Sequence, residues 1–418
     1  MKNLLSTFFS LLVFTMFCQA QLTAVKLPPG RTITDVKNHV MKPVNITGAL
    51  SDDDGRKDII SAADAKRKFE KAKTYQLDVE AFAQNFHDHI KDSVAGYVMQ
   101  ISRGGNVIYN TKWNWAQTPA NASLGWDFDT KMHVASVSKY LTAMAMFKAL
   151  KLANLTIDTK IIDYLPSYWA KGANIDKITF RNLLTHTAGF NYSGCATDYE
   201  YMKQKVGGGV SVVGGKSYYH NMNFGLCRIL IPTVMKYMRT DDSMSDSDWD
   251  GSSIFWFEYF MYDRIIDPAG VKGASFKNEP QRKHALAYDF PTNNTTDGWD
   301  SGNLATVSGA AGWRLSVSDL LKIMDLARRH NDIFRANEFQ EALDAYLGID
   351  QIIETPAGKL YNKNGGWSNN GQTEQSVIYF LPGDMELAVL VNSKIGNGQG
   401  RSLRGRVYDS YISSLKLK

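Results

Sequence analysis

Ser136-Val137-Ser138-Lys139 places a hydroxyl and an amine three residues apart at the head of an apolar stretch that runs to Leu150. Positions i and i+3 share one face of a helix, so the Lys139 amine can reach the Ser136 hydroxyl. The helix N-terminus adds positive potential, which favours alkoxide character at Ser136 and a neutral Lys139. Such a pair could form and break an acyl bond. The same residues also fit a plainer reading, in which Ser136 caps the helix and Lys139 is solvated. A second run with possible chemistry is Asp246-Ser247-Asp248-Trp249-Asp250-Gly251. Alternating carboxylates around a glycine turn suit a hard cation such as Ca²⁺, which makes Asp246, Asp248 and Asp250 candidate ligands of a structural calcium ion. Phe257 stands where an EF-hand loop carries its bidentate Glu, with Glu258 one place late. The alternative is a solvated acidic loop whose Asp250 caps a helix beginning near Ser252.

Other patterns lack the spacing their chemistry requires. Gly209 to Ser217 ends in Gly-Lys-Ser like a phosphate loop, but its first glycine is one residue too far away and no apolar strand precedes it. His87-Asp88-His89 is an i, i+2 pair on a helix, which points the rings apart and suggests solvated surface. Neither G-x-S-x-G nor H-E-x-x-H occurs, which disfavours an α/β-hydrolase and a zinc protease of that kind. Sequons at Asn45, Asn121, Asn154, Asn191, Asn293 and Asn294 matter only in a eukaryotic secretory host.

The elements that must position these residues follow from periodicity. Val79, Phe82, Phe86 and Ile90 predict a helix, and Val137, Tyr140, Leu141, Met144 and Phe147 predict the one that carries Lys139. Ala95 to Ser102 and Asn106 to Tyr109 read as a hairpin around Arg103-Gly104-Gly105. Ser376 to Leu381 and Glu386 to Val391 read as another around Pro382-Gly383-Asp384. A final helix is predicted over about 402–415. Strands at both ends with helices between them indicate an α+β fold whose N- and C-terminal strands share an antiparallel sheet.

Composition agrees with a packed enzyme-sized chain of 418 residues, 44% hydrophobic and 12% aromatic. The net charge of +5 is small and dispersed, which gives no nucleic-acid footprint. Lys2, the apolar run from Leu4 to Cys18 and the small Ala20 describe a secretory signal peptide over 1–20. A secreted or periplasmic protein is therefore expected. No later segment offers the 18 or so apolar residues a membrane span needs, so stable membrane insertion is not expected. Residues 21–76 read as a polar N-terminal extension, lying over the main domain or partly disordered, and 77–418 as that domain. Cys195 and Cys227 outlast cleavage; they are a possible disulfide or two free thiols.

Tyr219-His220-Asn221 lies downstream of Ser136, and Lys363-Asn364-Gly365-Gly366 precedes the last hairpin. In order and placement the three motifs resemble the S-x-x-K, Y-x-N and K-T-G of penicillin-recognising serine enzymes. Thr179 to Gly189 is similar to that group's L-L-T-H-T-S-G segment, and Tyr219 to Phe224 to its Y-S-N-x-N-Y run. Ile266 to Val271 and Gly309 to Asp319 match further flanks. The resemblance covers about 77–418 and points to the class C β-lactamase-like group, which also holds D-amino-acid peptidases and esterases. It implies a β-lactamase/transpeptidase-like fold, an antiparallel sheet beside a mostly helical subdomain. It also implies a serine hydrolase acting on a small ester, amide or peptide, with no cofactor. Ser136 would be the acylated nucleophile, and Lys139 and Tyr219 would share general-base and general-acid work. Asn221 would place the substrate. Lys363 would add positive charge and favour the ionised Tyr219 or a substrate carboxylate; being Lys where many esterases and peptidases of the group have His, it points to a substrate bearing a carboxylate. Gly365 and Gly366 complete the substrate-binding strand, and the Ser136 and Gly366 N–H groups would form the oxyanion hole. His220 is expected to line the wall and His186 to be structural. Asn364 replaces the usual hydroxyl residue, which tells against efficient β-lactam turnover. The implied substrate is a carboxylic ester or small D-amino-acid peptide. The rivals are a true β-lactamase or D-Ala-D-Ala carboxypeptidase, and a non-catalytic binding protein using the inherited cleft.

Overall fold

The computed structural model describes residues 38–40 and 74–418, apart from 193–195, 280, 291–295, 336 and 397–401. The expected signal peptide, nearly all of the 21–76 extension, Cys195 and the sequons at Asn45, Asn293 and Asn294 lie outside the described residues.

Two short strands come first, β1 (Asn38–Val40) and β2 (Tyr75–Leu77). Helix α1 (Val79–Ile90) starts at Asp78, whose carboxylate accepts the Ala81 N–H at 3.2 Å, and it buries Phe82, Phe86 and Ile90 along one face. Strands β3 (Gly96–Arg103) and β4 (Asn106–Gln117) form the expected first hairpin. Its turn needs the left-handed backbone that Gly104 and Gly105 supply, with φ of 58° and 78°. Next come β5 (Leu124–Gly125), β6 (Met132–His133) and α2 (Ser138–Leu152). The middle of the chain holds α3 (Phe180–Leu184), α4 (Tyr199–Gly208), α5 (Met222–Val234) and α6 (Asp246–Met261). After β7 (Arg314–Leu315) run α7 (Val317–Arg329) and α8 (Glu338–Asp344). Then follow β8 (Gln351–Thr355), β9 (Gly358–Asn369), β10 (Gln372–Leu381) and β11 (Met385–Val391). Helix α9 (Leu403–Ser413) and strand β12 (Leu415–Leu417) close the chain. The last helix thus stops at Ser413, because the chain turns there to pair β12 with β2.

The main sheet runs in the order β1-β4-β3-β11-β10-β9-β8. All its neighbours are antiparallel except β1, which pairs in parallel with β4. The β11–β3 ladder joins the two ends of the domain, as the strand pattern implied. Period-2 geometry with both faces buried explains why the Val377–Leu381 half of β10 and nearly all of β11 are apolar. Val377, Tyr379, Leu387 and Val389 pack into one buried layer with Phe82, Phe86, Val407 and Tyr411 of α1 and α9. Ile378, Phe380, Ala388 and Leu390 face the other way, into the larger core shared with α2, α5 and α7. Each strand therefore buries both faces, and the sheet is a middle layer between helices. Helix α5 runs through that larger core with all 13 of its residues buried. Among the described residues no helix is long and apolar enough to cross a membrane.

Three local expectations need correcting. The Asp246 to Gly251 run is not a loop but the first turn and a half of α6, which begins after the N-cap Ser245. Asp250 is therefore inside the helix rather than its cap. His87 is not solvated: it is buried, with Nδ1 3.0 Å from the Tyr97 hydroxyl, while His89 Nδ1 lies 2.8 Å from Ser410 Oγ.

Candidate active site

Ser136 does not sit in α2 itself but in a 3₁₀ turn, Ala135–Val137, immediately ahead of it. Ala135 holds a positive φ of 45° while buried, a conformation that L-residues adopt only at some cost. That bend turns Ser136 toward the cleft, and no side chain caps α2, so the Ser136 hydroxyl is left for other work. Lys139, one turn on and fully buried, donates from Nζ to Ser136 Oγ at 2.9 Å. It also donates to Asn221 Oδ1 and to the Ala310 carbonyl, each at 2.8 Å. Tyr219 donates its hydroxyl to Ser136 Oγ at 2.7 Å. Three separate segments, 136–139, 219–221 and the loop at Ala310, thus meet at one oxygen and one amine.

Local folding explains the arrangement. Asn221 is the N-cap of α5, yet its side chain makes no capping bond. His220 does that work instead, accepting the Met222 N–H on Nδ1 at 3.1 Å, which leaves the Asn221 amide for Lys139. His220 is buried, and its ring lies parallel to Tyr201, so it is a capping residue rather than part of the cleft wall. His186 accepts the His220 N–H at 3.3 Å and stacks on Tyr219 with ring centroids 4.4 Å apart. It takes a positive φ of 58° to do so. The Gly-rich segment 209–217 follows a helix, not a strand, and leads directly into Tyr219. Its Gly214 N–H binds the Thr187 carbonyl at 2.9 Å, beside His186.

Strand β9 brings the third motif. A Cβ on Gly365 would lie 2.5 Å from the Val134 carbonyl and 2.9 Å from the Ser136 nitrogen. Only glycine lets β9 lie this close against the Ser136 backbone. Gly366 next to it is exposed, with open space beside it.

The electrostatics pull Lys139 and Tyr219 toward their basic forms. Burial pushes the Lys139 ammonium down, and Lys363 adds to the effect, although Tyr219 opposes it. Burial pushes the Tyr219 phenol up and the Asp350 carboxylate adds to it, but Lys139 and Lys363 outweigh both and the phenol titrates lower than usual. Tyr219 is 54% exposed, so solvent at its outer face damps both influences. His186 stays neutral well below its usual range because of burial and the two nearby lysines.

Sequence reasoning missed three participants. Asp350 receives both a 2.8 Å and a 2.9 Å hydrogen bond from Lys363 Nζ. Asp350 lies 13 residues before Lys363, and only the β8–β9 register, with Gln351 opposite Asn362, brings them together. Hairpin pairing was the signal that could have found it. Ala310 contributes a backbone oxygen, which no side-chain pattern can report. His133, fully buried, accepts the Gly312 N–H on Nε2 at 3.0 Å and meets Glu374 through Nδ1 at 3.1 Å. It ties the strand before Ser136 to the 309–312 loop that carries Ala310.

Asp246, Asp248 and Asp250 are elsewhere and do not converge. Asp246 pairs with Lys203 at 2.6 Å and accepts from Tyr168 at 2.8 Å. Asp248 accepts from Ser245 Oγ at 2.7 Å, and Asp250 pairs with the buried Arg228. Among the described residues no group of three His, Cys, Asp or Glu side chains could hold a metal ion. Cys227 is a buried thiol in α5 whose pKa burial pushes up.

Comparison with known proteins bears on family and fold. The family described as Beta-lactamase matches residues 79–410. The protein PbpX of Bacillus subtilis (strain 168), whose name places it with the penicillin-binding proteins, is 24% identical over 339 residues, 79% of this chain and 76% of its own. Esterase EstB of Burkholderia gladioli is 28% identical over 101 residues, 24% of this chain and 25% of its own. A D-stereospecific amidohydrolase from Streptomyces sp. shares the fold with a TM-score of 0.58 at 18% identity, covering 80% of this chain and 98% of that one. The α+β fold is therefore β-lactamase/transpeptidase-like, and the non-catalytic reading falls away. With a family match that spans both halves of the cleft, this chain belongs to the Beta-lactamase family and is a serine hydrolase.

Proposed function

We propose that this is an exported enzyme that cleaves a carboxylic ester or a small D-amino-acid peptide through an acyl-enzyme on Ser136. One observation carries the reading: Ser136 Oγ is held at once by Lys139 Nζ at 2.9 Å and the Tyr219 hydroxyl at 2.7 Å. Attack of Oγ on the substrate carbonyl requires the Lys139–Tyr219 pair to accept the serine proton. Burial of Lys139, and the pull of Lys139 and Lys363 on Tyr219 that remains after the Asp350 carboxylate opposes it, favour the proton-deficient pair that can do so. The pair then returns the proton to the leaving group. Oxyanion charge in each tetrahedral intermediate is met by the Ser136 and Gly366 N–H groups, worth about 3 kcal/mol per donor. Water repeats the sequence on the acyl-enzyme. Asn221, anchored on Lys139, holds the amine in place and presents its amide to the cleft.

Export is supported by the charged start, apolar run and small residue of 1–20, with 77–418 as the catalytic domain. The substrate class is supported by the esterase and the amidohydrolase among the similar proteins, and by Asn364 in place of a hydroxyl. Side-by-side assay of p-nitrophenyl esters, D-Ala peptides and nitrocefin tests it. Ester or D-amide turnover is expected to lead; faster nitrocefin turnover would make this a β-lactamase instead.

A further inference from the structure

Lys363 of the third motif is the residue through which a substrate carboxylate was expected to bind. Its surroundings say otherwise. An ammonium has three N–H donors. Those of Lys363 go to Asp350 Oδ1 at 2.8 Å, Asp350 Oδ2 at 2.9 Å and the Asn364 carbonyl at 3.0 Å. The side chain is itself buried, with 1% of its surface exposed. Asp350 is equally committed: Oδ2 also accepts the Asn364 N–H at 3.0 Å, and its own N–H binds the Asn362 carbonyl at 2.8 Å. The carboxylate is thus built into the start of the β8–β9 ladder and is not a mobile counter-ion. Lys139, the other cation at the nucleophile, spends its three donors on Ser136, Asn221 and Ala310. Arg404, whose field also reaches Lys363, is buried on α9.

We infer that Asp350 is a specificity-determining residue: it makes Lys363 half of a neutral ion pair, so the cleft takes esters and amides that carry no carboxylate. The inference rests on the serine-hydrolase reading and narrows its substrate. An anion entering beside β9 would meet a lysine with no donor to spare and a fixed aspartate 2.8 Å behind it. A neutral amide or ester group meets neither penalty. Lys363 keeps its place because a buried ion pair with satisfied geometry holds the strand in register.

Two matched substrate pairs test this, with rates divided by spontaneous hydrolysis. The first is 3-acetoxybenzamide against 3-acetoxybenzoate, which differ in leaving-group charge. The second is p-nitrophenyl heptanoate against mono-p-nitrophenyl adipate, which differ in acyl-group charge. In the wild type the neutral member of each pair is expected to lead in kcat/KM by about tenfold or more. Asp350→Asn frees the Lys363 charge and should move the ratio toward the carboxylate by about tenfold in at least one pair. A wild type that prefers either carboxylate substrate overturns the inference. So does a folded Asp350→Asn enzyme with unchanged ratios. If that variant does not fold, Asp350→Ser replaces it, and the wild-type ratios decide alone if neither folds. Fluorophosphonate labelling of Ser136 in the same samples separates the two levels: an unlabelled wild type refutes the hydrolase reading itself.

Discussion

The beginnings of α2 and α6 look alike on paper and behave in opposite ways. Each is a helix start with polar residues at short, regular spacing, and each could hold chemistry. At α2, Ser136 and Lys139 stay on one face, and Tyr219, Asn221 and Ala310 come to them from segments 82 to 171 residues away. At α6 nothing comes to a common point. Asp246 and Asp250 share a face, Asp248 points away, and each binds a different partner. Spacing determines which side chains can share a face; the rest of the fold determines whether anything meets them there. Carboxylates two apart can converge in a loop, and a helix forbids it.

The comparison breaks first at the nucleophile. Ser136→Ala should cut kcat by about 10⁶ with the melting temperature preserved, since the hydroxyl is the only bond-forming atom of the scheme. A fluorophosphonate mass found on another serine would end the assignment. Next in size, Tyr219→Phe should lose about 10²- to 10⁴-fold, while Tyr218→Phe stays near wild type. Of these two rings Tyr219 is the one that donates to Ser136, so equal losses would show that the wrong ring has been identified. The pH profile sharpens the same region. Lys139 and Tyr219 both titrate lower than usual, so the proton-deficient pair forms at lower pH than free groups near pKa 10 would allow. Activity should therefore rise about tenfold per pH unit and level off below pH ~10. A profile still climbing at that pH would contradict it.

At α6 the expected effects are on stability. Asp250→Asn strands the fully buried Arg228 and should cost about 3 kcal/mol in urea unfolding, with turnover retained in the folded enzyme. The smallest effect is none at all: EDTA or added Ca²⁺ should leave the melting temperature unchanged. A calcium-dependent rise would restore the ion that the helical geometry argues against.

Much of the scaffold was legible because burial imposes a period. Phe82, Phe86 and Ile90 marked α1, and the two apolar runs flanking Pro382-Gly383-Asp384 marked the β10–β11 hairpin. Family resemblance then supplied Tyr219, Asn221 and Lys363, which no local physics singles out. Reading failed where a residue's environment is made by distant chain. His87 and His220 looked like surface and wall but are buried, held by Tyr97 in one case and packed on Tyr201 in the other. Lys363 looked like a free cation because Asp350 is adjacent only through strand pairing.

By itself the sequence determined which elements form and that Ser136 and Lys139 share a face, since helix and strand periods act over a few residues. Only the tertiary structure decided what stands opposite each charge. Hydrogen bonds and ion pairs act over about 3 Å in space whatever the separation along the chain. That is why Lys139 ends against the Ser136 hydroxyl, Lys363 as half of an ion pair, and the three aspartates of α6 on separate partners.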